Sequence, residues 1–191
     1  AMHARVKKIL TATAAAALLL APIAFSAGAL RLPLSTHQLT LDADVVIRGR
    51  VLAAAAQWND DRTLIFTRAA VEVQRSIRGS SPQAVIWVEY PGGEVDGVGL
   101  GVSDGPRLAA GEAVLLFLKA HSSFGSGAPG QTFRICGSAQ GKYTITGAGM
   151  AIKQGFSLPP EGREVDIDAA ISIDALERKI RAVNENTQPS P

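Results

Sequence analysis

Residues 85–118 read VIWVEY, then PGGEVDGVGLGVSDGPRLAAG, then EAVLLFL: two apolar runs joined by a glycine-rich crossing. Each run is too short for a core helix and rich in apolar and β-branched residues, so both read as strands buried on two faces. The crossing, from Pro91 to Gly111, carries too many glycines and prolines for a helix interior. It is predicted as a loop with room for one short strand, Val98–Val102.

The same strand logic extends in both directions. Upstream, DVVIRGRVLAAAA (44–56) is a β-rich run in which Gly49 marks a bulge or sharp bend. QWNDDR (57–62) is a polar turn. After it, TLIFTRAAVEVQRSIRG alternates, with Ala69, Val71, Val73 and Ile77 on one face and Arg68, Glu72, Gln74 and Ser76 on the solvated one. Gly79-Ser80-Ser81-Pro82 ends that strand, and the run to Tyr90 completes a three-strand meander. Downstream, Ala113–Lys119, Gln131–Gly137, Lys142–Thr146 and Met150–Ile152 are further short strands, with the loop HSSFGSGAPG (121–130) among them. Ser35-Thr36 caps a brief helix through Asp42, with Leu39 its apolar contact. Ile173–Val183, capped by Asp174, places Leu176, Ile180 and Val183 at helical spacing; the tail from Asn184 is frayed.

Five to seven short strands with one terminal helix imply a mainly β fold, a small barrel, because closure removes the exposed edges of an all-β domain. A sandwich is the alternative. Neither an internal repeat nor a parallel βαβ alternation is present.

At the N-terminus, basic Arg5, Lys7 and Lys8 precede the apolar Ile9–Leu20 and an A-x-A site at Ala27-Gly28-Ala29, the pattern of a secretory signal peptide over residues 1–29. An uncleaved anchor is the alternative. The apolar part falls short of the ~20 residues a spanning helix needs, so no stable membrane span is expected after cleavage. The expected organisation is thus a signal at 1–29, a barrel at 30–157, and a linker, helix and tail at 158–191. Location follows as exported, periplasmic or extracellular. Taking the three basic residues of the signal from the 19 Lys and Arg leaves 16, against 17 Asp and Glu. A chain so balanced has no positive field to recruit nucleic acid. Cys136 is the single cysteine, so no intramolecular disulfide forms, and its place in TFRICG suits a buried, inert thiol.

Motifs that would carry chemistry lack their context. Gly101-Val102-Ser103-Asp104-Gly105 spells the G-x-S-x-G of a hydrolase elbow, but that turn must join a strand to a helix, and here Pro106 and a β-run follow. Gly137–Lys142 is one residue short of a phosphate loop and opens onto a strand, so a turn with left-handed glycine is expected. His37 and His121 are far apart, and Asn59-Asp60-Asp61, Glu94 and Asp96 read as turn acids, so no metal or cofactor is assigned.

The pattern DVVIRGRV, polar turn, FTRAAVEVQRSIRG resembles the opening strands of the netrin-like domain of tissue inhibitors of metalloproteinases, and FRICG (133–137) resembles a later strand of that domain. The span from Leu39 to Thr146, with PGGEVDGVGL, GEAVLLFL and AQGKYTI, is similar to a group of exported bacterial proteins without assigned activity. The resemblance implies an OB-like barrel. It does not carry the inhibitors' mechanism, which uses a mature N-terminal cysteine where this chain is expected to begin at Leu30.

The function expected from these readings is a non-enzymatic, exported module that binds a protein partner through the loop 91–105. Its candidate contacts are Trp58 and Tyr90, as partly exposed aromatics, with Gly92, Gly93, Glu94, Asp96 and Arg107. Trp58 has a second reading, as a cap on one end of the barrel. Regulation or inhibition of a secreted metalloprotease, by a contact that needs no N-terminal cysteine, is the alternative function.

Overall fold

A computed structural model describes residues 33–81, 83–155 and 167–187. The expected signal peptide and most of the linker after residue 157 lie outside the described residues. The elements run α1 (Thr36–Asp42), β1 (Val45–Trp58), β2 (Ile65–Arg78), β3 (Val85–Pro91), β4 (Gly93–Val95), β5 (Val98–Leu100), β6 (Ala113–His121), β7 (Thr132–Ile135), β8 (Lys142–Ile145), β9 (Met150–Lys153), β10 (Ala170–Ser172) and α2 (Ile173–Thr187).

Five of the strands close on themselves. β1 pairs with β2, β2 with β3, β3 in parallel with β7, β7 with β6, and β6 returns to β1, making the small OB-like barrel. β8, β9 and β10 extend the sheet from β6. Coiling a strand around so small a barrel needs local kinks, and β1 shifts register between Arg48 and Gly49. A Cβ at Gly49 would stand 2.3 Å from the Glu72 carbonyl oxygen, so only glycine allows that approach.

The continuous apolar run of β6 is explained by two cores, one on each face. Val114, Leu116 and Leu118 point into the barrel with Ile47, Val71 and Phe133. Leu115 and Phe117 point outward, under Leu39 of α1 and Leu176 and Ile180 of α2. All five residues from Val114 to Leu118 are fully buried. Each such side chain contributes roughly 1.5–3 kcal/mol of burial, so β6 is the shared wall on which both halves of the molecule rest.

The capping of the helices differs at one end from the expectation. Ser35 caps α1 with a complete capping box to Gln38. For α2 the capping group is Ser172, whose Oγ accepts from the Ala175 amide at 3.3 Å, while Asp174 sits in the first turn. Among the described residues no helix is long and apolar enough to cross a membrane.

Candidate functional site

The glycine-rich crossing folds into a hairpin rather than a loop with one strand. β3 ends where the Gly92 amide donates to the Ile65 carbonyl at 2.9 Å and Thr67 Oγ1 donates to the Gly92 carbonyl at 2.7 Å. Gly93 then carries the chain over the face of the β1–β2 ribbon; a Cβ on it would lie 2.5 Å from Cβ of Ala56. The chain doubles back at Asp96-Gly97, whose φ values of 52° and 77° are both left-handed. That pair is the two-residue turn whose twist matches antiparallel strands, and Asp-Gly is its preferred sequence. β4 and β5 pair accordingly, Val95 opposite Val98 and Gly93 opposite Leu100.

Between the hairpin and the returning segment lies a cleft of about 380 Å³. Residues 91–94 form one wall; 99–102 and 105–107 form the other, with Thr67 and Tyr90 also lining it. Tyr90 is buried, contrary to its expected exposure, because its hydroxyl is held at the barrel mouth, accepting from the Leu108 amide at 3.1 Å. Burial pushes the phenol above its ordinary range, against the opposing pull of the Leu108 amide it accepts from. The exposed side chains around the cleft include Glu94, Val98, Val102 and Arg107. Among the described residues the side chains of Glu94 and Arg107 make neither a hydrogen bond nor an ion pair.

Of the seven expected contacts, Tyr90, Gly92, Gly93, Glu94 and Arg107 therefore converge on one cleft. Asp96 stands at the hairpin tip, outside it. Trp58 is not part of its lining; it is half-buried at the end of β1, with the Arg62 guanidinium 5.8 Å above its ring. Ser103 occupies an exposed turn, and neither histidine lines the cleft.

Two buried ion pairs, unforeseen in the sequence reading, hold the surroundings in place. Lys142 is almost fully buried, pairs with Glu112 at 2.7 Å and donates to the Arg107 carbonyl, tying the Arg107 segment to the barrel rim. Burial by itself would raise the Glu112 carboxyl, but hydrogen bonds from Lys142 and Thr144 outweigh it and hold the group below its ordinary range. On the far side, Glu89 is fully buried and takes a 2.6 Å bond from Arg68, with further donations from Ser123 Oγ and the Phe124 amide. Arg68 also reaches the carbonyl of Gly125, and Asp60 accepts from the amide and hydroxyl of Ser126, so residues 123–126 of the loop 121–130 are clamped from two sides. Arg68 thus departs from the solvated face assigned to it. The only signal in the sequence was a Glu inside the otherwise apolar VIWVEY, whose partner periodicity could not name.

Among the described residues no group of three His, Cys, Asp or Glu side chains is placed to hold a metal ion. No protein-family model matches the chain, and no curated protein matches it.

Proposed function

We propose that this protein is an exported, non-enzymatic binding module that docks a protein partner at the β4–β5 hairpin and the cleft beneath it. The observation that carries this reading is the cleft itself: a concave, glycine-walled surface flanked by exposed Val98 and Val102, with one unpaired carboxylate, Glu94, and one unpaired guanidinium, Arg107. A concave patch combining apolar contacts with a few unsatisfied charges is what interfaces use for affinity and orientation. The Lys142–Glu112 pair and the Asp96-Gly97 turn make the surface rigid in advance, which lowers the ordering cost of binding.

The test is capture from the native envelope and culture fluid, with the wild-type protein and with Val98→Asp and Arg107→Ala as baits. A partner retained by the wild type should fall at least ~tenfold in affinity with either variant, about 1.4 kcal/mol, while thermal melting stays unchanged because both side chains are exposed. Equal retention by all three baits sinks the assignment of this surface.

A further inference from the structure

β1 outruns its neighbour on one side. β6 accompanies it from Val45 to Arg50, and the last backbone bonds across that side are Val51 N–H to the Glu112 carbonyl, 2.9 Å, and Gly111 N–H to the Val51 carbonyl, 2.8 Å. Beyond them β1 continues for seven residues, Leu52–Trp58, paired only with β2. Among the described residues no strand covers the outer edge of this extension.

Leu52 is 48% exposed, and Ala53, Ala54 and Ala55 are all exposed as well. Successive strand residues point to opposite faces, so exposure of consecutive alanines means that neither face is covered there. The hairpin packs on the ribbon at Ala56, where Gly93 makes its close approach, and leaves residues 53–55 exposed. The run LAAAAQW holds no charge, no proline and no glycine. Soluble proteins protect an open edge with lysines, prolines, bulges or a covering segment. Here the one bulge, between Val51 and Ala53, lies at the start of the run.

We infer that this edge pairs with the same edge of a second copy, making a two-fold dimer with a sheet continuous across it. In an isologous contact each residue on or near the axis meets itself or a close sequence neighbour. A charge there would face a like charge, which destabilises directly opposed strand pairs. An axis centred on Ala54 sets Ala53 opposite Ala55 and Leu52 opposite Ala56, so no pair is charged and no two large side chains collide. The absence of charge over the whole run is the property self-pairing requires, whereas a partner of different sequence would be selected by charged or bulky positions on the edge.

The experiment is sedimentation across a concentration series on the protein produced with its own N-terminal segment, in the form the cell yields, alongside Ala54→Lys and Ala55→Lys. The wild type should show a monomer–dimer equilibrium, and each lysine should raise its dissociation constant at least ~tenfold with an unchanged circular dichroism spectrum. Mild oxidation of Ala54→Cys should give a disulfide-linked dimer, since residue 54 faces its own copy across the axis and the native thiol is buried, and this arm does not depend on the lysine variants folding. A wild type that stays monomeric, a dimer indifferent to both lysines, or an Ala54→Cys variant that never cross-links would each overturn the inference.

Discussion

Glu89 and Arg68 form the most costly pair to disturb. With Glu89 fully buried, removing its guanidinium leaves an uncompensated charge in the interior, so Arg68→Met should lower unfolding stability by about 3–5 kcal/mol in urea titrations. The double change Arg68→Met/Glu89→Leu should recover much of that loss, because the expense lies in the unpaired charge more than in the missing bond. Cys136 is a second single-residue case. Burial, reinforced by the nearby Asp42 carboxylate, pushes its thiol up to about 12. A thiol-specific reagent at pH 8 should therefore leave the folded protein unmodified and titrate one thiol per chain after unfolding. His121 and Glu112 both contribute to the response to acid. Burial holds the His121 imidazole below its ordinary 6.5, against an opposing pull from Glu89, and its Nε2 is buried without a hydrogen-bond partner among the described residues. The folded state thus binds that proton less readily than the unfolded chain, and stability is lost as pH falls below about 6.5. Glu112, depressed below 4.5, contributes stability above that value and loses it as pH drops through its folded value. Midpoints measured from pH 8 to 3 should decline in two stages, and His121→Phe should flatten the upper one.

The β4–β5 hairpin and α2 are contrasting elements. The hairpin is held by its turn and by Gly93, and its glycines at 97, 99 and 101 have open space where a Cβ would go. Of these, Gly97 is constrained by its φ of 77°, so Gly97→Ala should cost about 1 kcal/mol locally. Amide exchange should quicken in residues 93–100 while the barrel is unaffected. The helix is held by burial instead. Leu176 and Ile180 are completely enclosed against β6 and Tyr143, and either residue changed to alanine should cost about 2–5 kcal/mol of global stability in the same titration. Peeling α2 away would expose the outer face of the wall that also lines the barrel, so the loss should be cooperative over the whole domain.

At the scale of the molecule, two neighbouring surfaces differ in chemistry. One presents the hairpin cleft with Glu94 and Arg107; along the flank of the β1–β2 ribbon runs an uncharged edge. As proposed, the first orients a partner and the second adds a strand, which would separate hetero-association from self-association on the same surface. Val98→Asp should abolish the former and leave sedimentation unchanged, and Ala54→Lys should do the reverse.

The alternation of β2, the two-sided apolar run of β6, Gly49 and the Ser35 cap were legible as sequence because each follows from local geometry: period two, period 3.6, or a single close approach. The barrel's mainly β class and its terminal helix came from the same signals. Closure of the ring through the parallel β3–β7 pair was decided only in three dimensions. So were the burial of Tyr90, the enclosure of Arg68 with Glu89, and the stabilising contact between Lys142 and the Arg107 segment. Those arrangements join residues 18 to 45 positions apart, and no periodicity reports on which strands become neighbours. Local pattern settles which face of a strand is apolar; the choice of what covers that face belongs to the fold.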